Sequence, residues 1–327
     1  MESKSTLIAI DIPSVDHTTF TINFIQSKSH CVWLDWGDGT DRDSFTDEGI
    51  IYASHTYAEP GQYDITMFAV DDGKIELVDI DPDVGYRNMV TQVVIGDDVT
   101  KIHDAMFADC ENMETLEFLC ENVEIGDYAF ANCLSLTDVE LPTTVGMISK
   151  GMFFNCSSLK QITLPEGSVS VFDKNAFYGC AMLKSIDLSG AYSIGDYAFH
   201  GCKKLTKIEL SESIHDIGEG AFDSCSTART INLGNVEDIG DRAFCNCRTV
   251  SRLVMPSNIK TIGDEAFYNC QFLKELTVNT ENPPVLRSTM ALPADTNFVI
   301  YVPKGAKNKY VEATNWSLYA DKIMEVE

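Results

Sequence analysis

The phrase Phe-x-x-Cys occurs eight times, as Phe107/Cys110, Phe130/Cys133, Phe153/Cys156, Phe177/Cys180, Phe199/Cys202, Phe222/Cys225, Phe244/Cys247 and Phe267/Cys270. Successive cysteines lie 23, 23, 24, 22, 23, 22 and 23 residues apart. So regular a period constrains the fold more than composition does. A unit of this length cannot enclose its own core, whereas stacked units bury their apolar rows against each other. Two to three residues beyond each cysteine follows an apolar-x-x-apolar-x-apolar segment, as in Leu136-Thr-Asp-Val139-Glu-Leu141 and Leu159-Lys-Gln-Ile162-Thr-Leu164. Alternation over so short a stretch reads as a strand with one buried face. A second motif, Ile-Gly-Asp-x-Ala-Phe at Ile125–Phe130, Ile194–Phe199, Ile239–Phe244 and Ile262–Phe267, turns the chain and drops the phenylalanine inside. Each coil is therefore strand, turn, short second segment, turn. The expected product is a solenoid with a parallel sheet on one face, opened by an atypical coil whose strand is Val90–Ile95.

The period is that of a leucine-rich repeat. The coils resemble the BspA-like, or treponemal-type, leucine-rich-repeat family, whose units read roughly Ile-Gly-x-x-Ala-Phe-x-x-Cys-x-x-Leu-x-x-Ile-x-Leu-Pro. The resemblance runs from about Val90 to Pro284. Individual coils depart from it at Ile148–Phe153, at Val171–Phe177, and at Ala228, which stands in place of the leading leucine. The resemblance implies a right-handed, curved leucine-rich-repeat solenoid with a parallel β-sheet. It also implies a bacterial, or else parasite, surface protein of recognition or adhesion, with matrix proteins or other cells as partners.

Residues 1–82 do not follow the repeat. Phe20-Thr-Ile22-Asn-Phe24, Val32-Trp-Leu34-Asp-Trp36 and Tyr63-Asp-Ile65-Thr-Met67 alternate as strands, separated by turn signals at Gly37–Thr40 and Glu59–Gly61. Several short strands in so short a segment make a small β-sandwich. Trp36-Gly-Asp-Gly-Thr40, followed by His55-Thr-Tyr57 and Gly61-Gln-Tyr63-Asp-Ile65, resembles the polycystic-kidney-disease (PKD) domain. That resemblance implies an immunoglobulin-like spacer or interaction module. Asp79-Ile-Asp81-Pro-Asp83 reads as an acidic linker. At the other end the repeat breaks at Asn282-Pro283-Pro284. A strand, Phe298–Val302, and an amphipathic stretch, Ala306–Ile323, with Tyr310, Trp316 and Tyr319 resemble the C-terminal segment often seen in BspA-like proteins and read as a cap over the open solenoid end. The expected division is 1–82 sandwich, 83–280 solenoid and 281–327 cap.

Eleven cysteines invite a disulfide or metal reading. Eight of them belong to different coils, so they form a row rather than converging on one point as metal ligands do. Stacked coils are about 4.8 Å apart with parallel side chains, too far for the Cβ spacing of about 3.8 Å in a disulfide. A ladder of small buried thiols is expected. Cys245-Asn-Cys247 is the only close pair, and Cys31 and Cys120 stand apart. Asp35, Asp38, Asp41 and Asp43 crowd one loop that could attract Ca²⁺, but Gly37 stands where a third-position ligand belongs, and a solvated turn is expected.

Fifty acidic against 24 basic residues give a formal charge of −26. Such a chain repels phosphate backbones and anionic lipid, so nucleic acid is a poor partner. No apolar run is long enough to span a membrane, and Met1–Ile12 lacks the basic and apolar regions of a signal peptide. The six histidines are scattered, and no nucleophile elbow, phosphate loop or His-Glu-x-x-His motif is present. Neither an enzyme nor a cofactor is expected; a hydrolase hidden in the acidic loops is the remote alternative.

If the apolar strand positions point inward, the polar positions beside them line the exposed sheet face. The candidate binding residues there are Glu117, Asp138, Glu140, Gln161, Asp187, Lys207, Glu209, Asn232 and Arg252. Curved repeat proteins bind other macromolecules through such faces, so the expected partner is a protein or a glycan. The same residues would equally serve only to solvate the sheet. An intracellular scaffold, favoured by the reduced-looking cysteines and the absent signal, and a spacer without ligand stay open as alternatives to the surface reading.

Overall fold

The computed structural model describes residues 5–14, 19–27, 31–71, 73–80, 86–293 and 297–326. His17, His30 and the linker aspartates Asp81 and Asp83 lie outside the described residues, as does the 82/83 boundary. The chain divides into two compact units, one of residues 1–145 and 149–168, the other of 146–148 and 169–327.

In the first unit, β1 (Thr6–Ile12), β2 (Thr19–Ser27), β3 (Val32–Asp35), β4 (Asp43–Phe45), β5 (Gly49–Thr56), β6 (Gly61–Ala69) and β7 (Lys74–Ile80) precede the repeats. The coils then contribute β8 (Val90–Ile95), β9 (Val99–Ile102), β10 (Thr115–Phe118), β11 (Glu124–Ile125), β12 (Asp138–Glu140) and, after β13 of the second unit (Met147–Ile148), β14 (Gln161–Thr163). They form two sheets, in the orders β14-β12-β10-β8-β1-β6-β3-β4 and β11-β9-β7-β2-β5. Both sheets run from the N-terminal strands into the coils. β1 lies antiparallel to β8, with Leu7 opposite Val94 and Ala9 opposite Gln92, and β7 lies parallel to β9, with Leu77 opposite Ile102. A coil stack ends in two bare strand edges and an apolar cross-section; β1 and β7 pair with those edges.

Alternation explains which side of each strand is buried. Ile8, Ile10 and Ile12 of β1 and Ile65 and Met67 of β6 face inward from one sheet, and Phe20, Ile22 and Phe24 of β2 and Ile75 and Leu77 of β7 from the other. The ring of Phe24 meets that of Phe45 edge-on at 5.7 Å, joining the two layers. Inside the coils Phe107, Phe130 and Phe153 stack with centroids 5.8 and 5.7 Å apart. The position before each ladder cysteine is left-handed in backbone, at Asp109, Asn132 and Asn155, a conformation that Asn and Asp tolerate better than most residues. Their side chains bond along the stack: Asn132 Nδ2 donates to Asp109 Oδ1 at 2.7 Å, and Asn155 Nδ2 to Asn132 Oδ1 at 3.0 Å.

In the second unit, β13 and the two-residue strands Val171–Phe172, Ser193–Ile194, Asp216–Ile217, Asp238–Ile239, Thr261–Ile262 and Val285–Leu286 make one seven-stranded parallel sheet from the isoleucine of each Ile-Gly turn or its equivalent. The other segment of each coil gives a two-stranded sheet (Lys207–Glu209 with Thr230–Asn232) and a four-stranded one (Arg252–Met255, Glu275–Val278, Val299–Val302, Ile323–Glu325). Phe177, Phe199, Phe222, Phe244 and Phe267 stack at 5.2 to 5.5 Å. Two expectations change here. Leu183–Leu188 carries the strand pattern but forms no strand; Asp187 Oδ1 accepts the Ser189 N–H at 2.9 Å in the turn that follows. The tail is not one amphipathic element: a helix at Lys307–Glu312 ends before Asn315, whose backbone is left-handed at φ +66°, and a 3₁₀ turn at Trp316–Tyr319 follows. Trp316 is buried, with Nε1 donating to the Pro284 carbonyl at 2.7 Å.

Candidate functional site

The outer face of the eight-stranded sheet is built by the side chains that the core leaves over. Val93, Leu116, Val139 and Ile162 point inward from β8, β10, β12 and β14, so their neighbours point out. Gln161 stands opposite Asp138 and Thr163 opposite Glu140. Leu116 opposite Val139 sets Glu117 alongside Glu140. Farther across, Thr115 faces Gln92, Gln92 faces Ala9 and Ala9 faces Asp64. The face that the sequence assigned to coils alone thus extends over β1 and β6. Glu117, Asp138, Glu140 and Gln161 are all exposed, and none of these three acids forms an ion pair among the described residues. Grooves notch this face among the described residues. One of about 370 Å³ is lined by Glu117, Phe118, Glu121, Glu140, Pro142 and Thr143 among others. A larger one, of about 610 Å³, opens between the end of β1, the turn before β8 and the turns before β10 and β12, with Asp11, Gln62, Gln92 and Glu114 in its walls.

In the second unit three of the corresponding candidates are held in ion pairs. Lys207 and Glu209 are paired at 2.6 Å and Arg252 pairs with Glu275 at 2.7 Å, all of them exposed enough to contribute little stability. Asn232 Oδ1 accepts the Gly234 N–H at 3.2 Å. Asp187 is exposed, off any strand. Among the candidates, Glu117, Asp138 and Glu140 of the first unit and Asp187 of the second have no ion pair among the described residues.

The acidic loop is internally satisfied. Asp38 Oδ1 accepts from the Thr40 N–H and hydroxyl at 3.0 and 2.6 Å, and Oδ2 faces His55 Nε2 at 2.8 Å. Burial alone raises the Asp38 carboxyl, but these hydrogen bonds outweigh it and hold its pKa at about 2. The Arg42 guanidinium and the Gly37 N–H likewise hold Asp35 below its usual value. Asp43 Oδ2 accepts from Trp36 Nε1 at 2.7 Å, and Asp41 is exposed. Among the described residues no three His, Cys, Asp or Glu side chains gather as a metal site.

Sequence reasoning missed Asp11, Gln62, Gln92 and Glu114, because what unites them is the pairing of β1 with β8, some eighty residues away in sequence. The available signal was the alternation of Ile8, Ile10 and Ile12, which marks Leu7, Ala9 and Asp11 as outward positions.

Residues 79–193 and 170–285 match the family described as BspA type leucine rich repeat region, a span well over half of the chain. No protein with a curated description matches. Among solved structures, the pneumococcal vaccine antigen PcpA is 19% identical, with a TM-score of 0.44 over 72% of this chain and 66% of that one, just under two thirds of its length. A leucine rich cell surface protein from Faecalibacterium prausnitzii is 20% identical, with a TM-score of 0.41 over 77% and 82%. A leucine-rich repeat protein from Bacteroides ovatus is 20% identical, with a TM-score of 0.36 over 84% and 90%. No described helix is long and apolar enough to cross a membrane. With the coil geometry and the repeat match in agreement, the chain belongs to the BspA-type leucine-rich-repeat family.

Proposed function

We propose that the protein is a non-enzymatic recognition or adhesion protein of the bacterial surface, binding a protein or glycan through the outer face of its sheet. The observation that carries this reading is the register of Glu117, Asp138, Glu140 and Gln161 on one uncovered face, with the three acids unpaired. The paired Lys207/Glu209 and Arg252/Glu275 are the contrast within this same chain. Membership of a family of surface recognition proteins supports it. In the same reading residues 1–82 are a PKD-like, immunoglobulin-like sandwich that lengthens the binding face, 83–280 are the solenoid and 281–327 the cap. A second reading, an intracellular scaffold, is favoured by the eleven cysteines, all free.

Solid-phase binding of the whole chain to immobilised extracellular-matrix proteins and glycans tests the proposal, with and without Ca²⁺. Saturable binding supports it. No binding to any surface sets aside the adhesin reading.

A further inference from the structure

The larger groove, of about 610 Å³, falls within the range of about 300–1,000 Å³ typical of small-ligand sites. Six of the side chains that line it, Asp11, Gln62, Gln92, Glu114, Thr115 and Ser135, form no side-chain hydrogen bond to any described residue. Two primary amides and two hydroxyls both donate and accept, and two carboxylates accept only. Among the described residues no Lys, Arg or His lines the groove. A phosphate, sulfate or uronate would therefore bring its charge against two carboxylates with no cation among the described lining residues to offset it. A neutral polyhydroxylated ligand matches the set: its hydroxyls donate to the carboxylates, a vicinal pair spanning both oxygens of one, and exchange donor and acceptor roles with the amides.

The wall is fixed before any ligand arrives. Arg87 Nη1 donates to the carbonyls of Ala105, Met106 and Ala108 at 3.0, 3.1 and 2.7 Å, and its Nη2 pairs with Asp79 at 2.5 Å. Asn112 Nδ2 donates to the Asn88 carbonyl at 2.8 Å, and Asn88 Oδ1 accepts the Glu111 N–H at 3.3 Å. These bonds tie the turn before β8 to the coil that follows, so binding would not have to order it. Sheet register sets the opposite wall, with Asp11 beside Gln62 and Gln92 beside Thr115.

We propose that this groove binds a neutral oligosaccharide. The inference rests on the reading of the outer sheet face as a recognition surface, and it names one ligand class for one place on it.

The test is calorimetric titration of the whole chain with cellotriose, maltotriose, xylotriose, mannotriose and chitotriose. A sulfated heparin tetrasaccharide and a lysine-rich peptide serve as contrasts. Gln62→Ala and Glu114→Ala alter exposed side chains, and circular dichroism verifies that both variants fold. Saturable binding of at least one neutral sugar, weakened about tenfold or more by each variant and unchanged in Asp138→Ala/Glu140→Ala, is the expected result. Binding of the sulfated sugar or the peptide alone overturns the inference, as does a neutral sugar whose affinity both variants leave intact, or no saturation by any of the five. If matrix-protein binding is lost in Asp138→Ala/Glu140→Ala while no sugar binds, the recognition surface stands and the groove inference falls.

Discussion

The thiol of Cys156 donates a hydrogen bond to the main-chain carbonyl of Phe130, one coil earlier, at 3.1 Å. The relationship repeats from Cys133 to Phe107, and from Cys202, Cys225, Cys247 and Cys270 to Phe177, Phe199, Phe222 and Phe244, at 3.3 to 3.4 Å. The two residues of the Phe-x-x-Cys phrase are thus partners across coils: phenylalanine fills the core and offers a carbonyl to the thiol of the next coil, which at Phe107, Phe177, Phe199, Phe222 and Phe244 is a second donor beside the N–H of the cysteine three residues on.

Removing the donor leaves a buried carbonyl short of a partner as well as a small void. Cys156→Ala is expected to lower stability by about 1–3 kcal/mol, read as a shift in the urea midpoint. An unchanged midpoint would mean that the ladder thiols only fill space.

Burial pushes the thiols of Cys110 and Cys270 up to about 12 and those of Cys120 and Cys245 up to about 11. The thiolate is the reactive form, so these groups are inert at neutral pH. Of the eleven cysteines, only Cys31 is not buried. Titration with a thiol reagent is expected to modify at most that one in the native protein and all eleven in denaturant. Fast native labelling at Cys110 or Cys245 would contradict the packing.

Gly220 has φ +56°, and a Cβ placed on it would lie 2.4 Å from the ring of Tyr197 in the preceding coil. At Gly240 the obstacle is main chain: the Cβ would meet the Ile217 carbonyl oxygen at 2.6 Å. A ring can move and a sheet carbonyl cannot. Gly220→Ala is expected to cost about 1–3 kcal/mol, partly recovered in Tyr197→Ala/Gly220→Ala, and Gly240→Ala to cost more, with no single side-chain change rescuing it. Thermal melts of the parent, Tyr197→Ala, Gly220→Ala, the double variant and Gly240→Ala decide; strictly additive losses at 197 and 220 would count against the contact.

Asp98 is buried at 3% exposure, with Oδ2 accepting the Ala69 N–H at 2.8 Å and Oδ1 without a partner among the described residues. Burial raises its pKa from 3.8 to about 6. Because the folded value lies above the unfolded one, the stabilising contribution of the protonated form is complete below about pH 4 and is lost as pH rises through about 6. Asp98→Asn keeps the acceptor for Ala69 and removes the charge. It is expected to be more stable than the parent at pH 7, by up to about 3 kcal/mol, with the difference gone at pH 4. Unfolding midpoints that differ equally at both pH values would rule out the titration.

The coils were legible because their information is local: Phe107 to Cys270 spell the period, and the alternation around Val139 and Ile162 spells the buried face. The opening strand Val90–Ile95 was read to its last residue. Two things were not legible. The pairing of Leu7 with Val94 joins segments whose local patterns say only that each is a strand and which side faces out, so the extension of the face over β1, and with it the groove between Asp11 and Glu114, was not spelled by either segment alone. Leu183–Leu188 carries the same alternation as its neighbours yet forms no strand, and the Asp187 bond to the Ser189 N–H is no local mark of that, since Asn232 makes the same bond to Gly234 from within a strand.

The central claim, that the outer face of the eight-stranded sheet is a recognition surface, is tested most directly by one comparison. Binding to immobilised extracellular-matrix proteins and glycans is measured for the whole chain and for Glu117→Ala/Asp138→Ala/Glu140→Ala, after both are shown to melt alike. The account expects saturable binding by the parent chain, weakening as salt is raised, and at least a tenfold loss in the variant, about 1.4 kcal/mol or more. Equal binding by the two proteins would contradict it.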